Sequence, residues 1–175
     1  MLHTFRTLLI LFIFCFLFIS CGKQNVKNTK CPLTIEQAPT IAGIRLRMSR
    51  DEVKALFPTY DLPSRDKVVI ENPSNVPGID EIELTFADNR VKSFSAGYEP
   101  SRWRNLTEFI DDMRGKLNLQ YLADEEEKPT QFESETFKSR MIHCRNFSVS
   151  IGGFHLDGGL KSGYIVYVHD RASSK

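Results

Sequence analysis

Residues 81 to 86 alternate without a break: Ile82, Leu84 and Phe86 fall on one side, and Glu81, Glu83 and Thr85 on the other. Successive side chains of a strand point to opposite faces, so this stretch demands a sheet with one dry face and one wet face. The segment from 106 to 117 makes the complementary demand. Leu106, Phe109, Ile110, Met113 and Leu117 recur at helical spacing and form a single apolar stripe. A striped helix and a one-faced sheet each bury one side only, so they need one another. The fold class expected is α+β, in two layers, with an antiparallel sheet and two helices on one of its faces.

Other segments fit this frame. Ser49-Arg50-Asp51-Glu52 reads as a capping box, and Val53, Leu56 and Phe57 then share a helical face until Pro58 stops the helix. Just before it, Ile44, Leu46 and Met48 alternate with Arg45 and Arg47, which is strand-like. Val68 to Ile70 is a further strand candidate. Asp88-Asn89 signals a turn after Phe86, and Val91 to Tyr98 returns as the hairpin partner. A three-residue loop with a bulge would set Phe94 opposite Leu84, with the register open by one residue. Asn105 to Glu108 offers a second helix cap. Strand candidates follow at Phe132 to Phe137, Arg140 to Cys144, Phe147 to Ile151 and Tyr164 to His169. Helix followed by antiparallel strands is thus expected twice, in halves at 41–98 and 101–170 of a single domain spanning 31–175. Its core is expected to bring the helix stripe against Ile82, Leu84, Phe86, Phe94, Phe147, Val149 and Ile151.

The N-terminus carries a different message. Arg6 precedes an unbroken apolar run from Leu8 to Ile19, followed at once by Ser20-Cys21-Gly22. Twelve residues would span ~18 Å as a helix, short of the ~30 Å of bilayer hydrocarbon. A basic start, an apolar run and a small residue before the cut describe an export signal. With Cys21 at the first mature position, the segment resembles the lipobox of bacterial lipoprotein signals, although Phe18 stands where Leu, Val or Ala is usual. The resemblance implies removal of residues 1–20, acylation of Cys21, and retention in the cell envelope by the lipid. Gly22 after the lipid-bearing Cys resembles outer-membrane sorting, so the periplasmic face of the outer membrane is expected over the inner membrane. An ordinary cleaved signal and an uncleaved anchor are the alternatives. Residues 21–30 read as a polar tether. Its nine residues after Cys21 reach ~30 Å at full extension and ~17 Å as a flexible chain.

Export simplifies the cysteines. Cys15 leaves with the signal and Cys21 carries lipid, which leaves Cys31 and Cys144 in a compartment that permits disulfides. Joined, they would close a loop worth ~4–5 kcal/mol by the chain-entropy argument. The alternative is a pair of unbonded, buried thiols. A metal site at His143 and Cys144 is disfavoured, since neighbours on a strand point to opposite faces and no second ligand pair has zinc-like spacing.

Charge narrows the partners. The chain has 23 Lys plus Arg and 22 Asp plus Glu, and loss of Arg6 with the signal leaves 22 of each. Such balance argues against nucleic acid and against a polybasic membrane patch. The mixed block from Asp124 to Lys128, beside Pro129, reads as a solvated loop.

The stretch from Gly43 to Phe57, GIRLRMSRDEVKALF, resembles the opening of small bacterial envelope lipoproteins of the SmpA/OmlA type, which include a lipoprotein subunit of the outer-membrane β-barrel assembly machine. That pattern is an apolar strand, Gly-Met-Ser/Thr, and a short helix with Val four residues after the Ser/Thr. Met48, Ser49 and Val53 match; Arg47 stands where the pattern has Gly. The resemblance covers about fifteen residues and implies a structural likeness. The related β-lactamase-inhibitor-protein fold, with two tandem helix-plus-sheet halves, is similar to the element order read above.

No catalytic signature is present. Gly152-Gly153 and Gly158-Gly159 with Lys161-Ser162 lack the Gly before Lys that a phosphate loop needs, because Leu160 occupies that place. Turns or a hairpin are expected there instead. Asp111-Asp112 lie on the helix away from its stripe and read as a solvated pair. His143, His155 and His169 have no nucleophile at a recognisable spacing. No cofactor and no metal are implied. Two classes remain: a non-enzymatic module that binds an envelope protein, and an unrecognised enzyme or small-ligand carrier. For the first, Tyr98, Trp103 and Tyr121 are the candidate exposed aromatics, the alternative being that they cap the core.

Overall fold

The computed structural model describes residues 31–122, 129–132, 135–156 and 161–171. A helix α1 (Arg50–Leu56) precedes strands β1 (Lys67–Glu71), β2 (Glu81–Ala87) and β3 (Arg90–Tyr98). A second helix α2 (Leu106–Lys116) precedes β4 (Thr130–Phe132), β5 (Glu135–His143), β6 (Phe147–Leu156) and β7 (Lys161–Asp170). The strands form one seven-stranded sheet in the order β1-β2-β3-β7-β6-β5-β4, with every pairing antiparallel. The protein is therefore of the α+β class, and β3 and β7 join its two strand groups.

Both helices start where the sequence provides caps. Ser49 accepts from the Glu52 amide while the Glu52 carboxylate accepts from the Ser49 amide, and Asn105 accepts from the Glu108 amide. The reciprocal bonds satisfy amides that the first helical turn leaves orphaned. Hydrogen bonds from the Ser49 amide and hydroxyl also hold the Glu52 carboxyl below its usual range.

The register explains the core. Val68, Leu84, Phe94, Val168, Val149 and Ile142 form one row across six strands, and each is at most 3% exposed. Phe109 and Ile110 of α2 are fully buried with them, Leu106 and Met113 are buried, and Leu117 at the helix end is half-buried. The Phe109 ring stacks on Tyr164 of β7 at 4.7 Å. One residue out of phase, Val69, Glu83, Ser95, Tyr167, Ser150 and Met141 form a row on the other face. Val69 and Tyr167 on this row are exposed.

Several expectations are corrected. Residues 44–48 are not a strand: Ile44, Leu46 and Met48 are buried and Arg45 and Arg47 exposed, but Ala42, Gly43 and Arg47 at positive φ break the extension. Residues 132–137 are not one strand but parts of two, because β4 ends at Phe132 and β5, starting at Glu135, folds back on it. Phe94 does pair with Leu84, though by another route than a three-residue loop. Asp88 and Asn89 form a two-residue turn at φ 51° and 58°, and the extra residue is Lys92, a bulge inside β3. Gly152 and Gly153 lie within β6, not in a turn. A Cβ at Gly152 would stand 2.4 Å from the Lys138 carbonyl, and one at Gly153 would stand 2.6 Å from the Tyr164 ring. These glycines are required by close packing on both faces of the strand. Gly158-Gly159 and the Asp124–Lys128 block lie outside the described residues.

Candidate binding site

The tight turn at Asp88-Asn89 and the bulge at Lys92 shape a cleft of about 230 Å³ where β3 starts and β7 ends. Arg47, Arg90 and Lys92 supply its cations, and Asp88 and Asp170 its carboxylates. Arg47 is the organising residue. Its amide donates to the Val91 carbonyl, its carbonyl accepts from Arg90 Nη1 at 3.0 Å, and its Nε donates to Asp170 Oδ2 at 2.9 Å. The Asp170 side chain is 3% exposed while that of Arg47 is 45% exposed, so a buried acid is answered by a cation that reaches solvent. Arg47 holds φ at 64°, the left-handed region that disfavours residues with a Cβ.

The cleft lies at the end of the sheet where the N-terminal segment is tied down. The Cys31 and Cys144 sulfurs are 1.96 Å apart, at disulfide distance, with Cα atoms 4.5 Å apart. Cys144 follows β5, and Arg171, next to Asp170, donates its amide to Asn146 and its Nη1 to the Cys144 carbonyl. Cleft and bridge are thus neighbours through the 170–171 segment.

Of the two readings of the aromatics, exposed or capping the core, the structure shows the second. Trp103 is buried at 8% exposure, its ring edge-on to Phe109 at 4.8 Å. Its Nε1 donates to Asp112 Oδ2 at 2.9 Å, and Lys116 Nζ donates to the same oxygen at 2.7 Å. Burial acts to raise the Asp112 carboxyl, but the two hydrogen bonds and the nearby cations outweigh it and hold the group below its usual range. Tyr98 is half-buried against Trp103 and Phe109, and burial with the Asp112 charge pushes its hydroxyl up to about 12. Tyr121 is also half-buried against the core. The reason is geometric: Tyr98 ends β3 on the core side, and α2 closes over it. Cys21 lies outside the described residues.

Ser148, His143, His169, Asp111 and Asp112 are placed as follows. The register sets Ser148 between His143 and His169 on the outer face, but among the described residues no hydrogen bond joins the hydroxyl to either ring. Burial and the nearby Lys92 lower the His169 pKa, and its ring stacks on Tyr167. Asp111 is exposed, and Asp112 is engaged by Trp103 and Lys116. Among the described residues no cluster of three His, Cys, Asp or Glu could hold a metal ion, and no helix is long and apolar enough to cross a membrane. Sequence reading missed the Arg47–Asp170 pair because 123 positions separate its members. The one local signal was Arg47 standing in the place of a glycine. No known protein family, no curated protein and no solved structure matches the chain.

Proposed function

We propose that the protein is a lipid-anchored protein of the bacterial cell envelope, acylated at Cys21, that binds an envelope protein without catalysing a reaction. Residues 1–20 are its signal, 21–30 its tether and 31–175 its single domain. The observation that carries this reading is the disulfide-distance pair Cys31 and Cys144, which fits an oxidising, exported setting. On this reading the domain is two-layered, with α1 and α2 on the buried face of the sheet. Phe109 of α2 stacked on Tyr164, and Arg50 of α1 over the Phe86 ring at 3.9 Å, support that placement. The partner surface is then the outer face, carrying Val69, Glu81, Glu83 and Tyr167. The periplasmic side of the outer membrane is its location, as Gly22 implies, and the SmpA/OmlA-type lipoproteins are the family it resembles.

Two measurements test this. Intact mass spectrometry should find residues 21–175 plus a lipid mass, and Cys21→Ala should abolish the lipid; an unmodified N-terminus elsewhere refutes the anchor. A photo-crosslinking residue at Tyr167 in intact cells should trap a discrete envelope protein, and one at Asp111 should not. Absence of any adduct from Tyr167, Val69 or Glu83 removes the outer face as the partner surface.

A further inference from the structure

Three cations meet in the cleft and only part of their charge is spent. The Arg47 guanidinium engages Asp170 through Nε, Arg90 engages the Arg47 carbonyl through Nη1, and the Lys92 ammonium makes no hydrogen bond or ion pair among the described residues. The remaining N–H groups of both guanidinium forks are donors suited to a tetrahedral oxyanion. Asp170 is buried and turned to Arg47, which leaves Asp88 as the exposed carboxylate on the wall. Beyond the wall, Arg171 adds a positive charge, and Glu36, near Arg47, and Glu52, near Arg90, add negative ones.

The backbone supplies an independent pointer. At Arg47 a glycine would be relaxed and an arginine is strained. Non-glycine residues held in that region persist where surrounding contacts over-determine them, and such positions cluster at ligand sites. The conformation places the Arg47 side chain on the cleft wall beside Arg90 and Lys92. A volume of about 230 Å³ is below the ~300–1,000 Å³ of sites for drug-sized ligands, so the occupant is small.

We propose that the Arg47–Arg90–Lys92 cleft binds a phosphate group, as free phosphate or as the phosphomonoester head of an anionic lipid. The balanced total of charges conceals the site, because its three cations come from two distant segments. The inference goes beyond the anchoring and partner reading, and soluble probes make its test independent of whether Cys21 carries lipid.

The experiment is heteronuclear NMR on the full chain in non-ionic detergent, titrated with inorganic phosphate and, separately, with a short-chain soluble phosphatidic acid. Saturable shifts at the amides of Arg47, Arg90 and Lys92 are expected. The double variant Arg90→Gln, Lys92→Gln should weaken binding by roughly tenfold or more, with the rest of its spectrum unchanged. Asp88→Asn, which removes the opposing charge, should tighten it. Tighter binding of the lipid than of phosphate assigns a membrane source, and equal binding assigns free phosphate. Non-saturating shifts, or the same affinity in the double variant, overturn the proposal. If the double variant does not fold, an unchanged affinity in Asp88→Asn overturns it instead.

Discussion

Trp103 and Asp112 are joined by a 2.9 Å hydrogen bond from the indole Nε1 to the carboxylate. The polar atom of a buried ring is thereby satisfied by the helix that covers it. Asp112→Ala should cost about 1–3 kcal/mol, the desolvation penalty of a stranded donor, and Asp112→Asn should keep most of it. The depressed Asp112 pKa fixes the sign of the pH effect. Its contribution is full above the unfolded carboxyl range and is lost as pH falls through the lower folded value. Denaturant unfolding followed by Trp103 fluorescence, the chain's single tryptophan, reads both effects; an Asp112→Ala protein with the same midpoint at neutral pH counts against the bond.

Reduction of Cys31–Cys144 should destabilise the folded state strongly. The cysteines stand 113 residues apart, and chain entropy assigns a loop of that size ~4–5 kcal/mol. Thermal melting with and without reductant, alongside the Cys31→Ser, Cys144→Ser double variant, should show matching drops. A drop on reduction that the double variant does not share would mean the reductant acts elsewhere.

Two glycines should respond in opposite directions to alanine. Gly152→Ala forces a methyl against the Lys138 carbonyl and the Phe137 ring, an overpacking cost of ~1–3 kcal/mol. Gly115, within α2, has open space around its missing Cβ, so alanine there should stabilise by ~0.4–1 kcal/mol. Paired urea titrations settle the contrast, and a Gly152→Ala midpoint at or above wild type contradicts the packing described.

Phe109→Ala should cost ~3–5 kcal/mol. The residue is fully buried and its ring meets Trp103, Tyr164 and Tyr98. That is a large share of a typical domain's ~5–15 kcal/mol, so the variant should be part-unfolded at physiological temperature by circular dichroism. Native-like melting of this variant would place α2 off the core.

What the sequence revealed was local or periodic. Ile82, Leu84 and Phe86 announced β2 and its dry face, the Leu106-to-Met113 stripe announced α2, and Ser49 with Glu52 announced α1, because each signal fits within one element. What it hid depends on tertiary neighbours. Gly152-Gly153 looks like a turn until Phe137 and Tyr164 are seen to occupy the Cβ positions. Trp103 stays open between surface and core until α2 is seen to close over it. The cleft needs Arg47 and Asp170 from distant parts of the chain, and no window of sequence contains both.

The strand order has a consequence for how the molecule comes into being. β7, the last of the described strands in sequence, lies between β3 and β6. Before it arrives, the chain can make only two separate ribbons, β1-β2-β3 and β4-β5-β6, whose inner edges present unpaired amides and carbonyls. Lys161–Asp170 therefore act as a keystone. A chain interrupted before residue 161 would carry two ribbons with open edges on one string, so the arrival of β7 decides between one continuous sheet and edge-to-edge association.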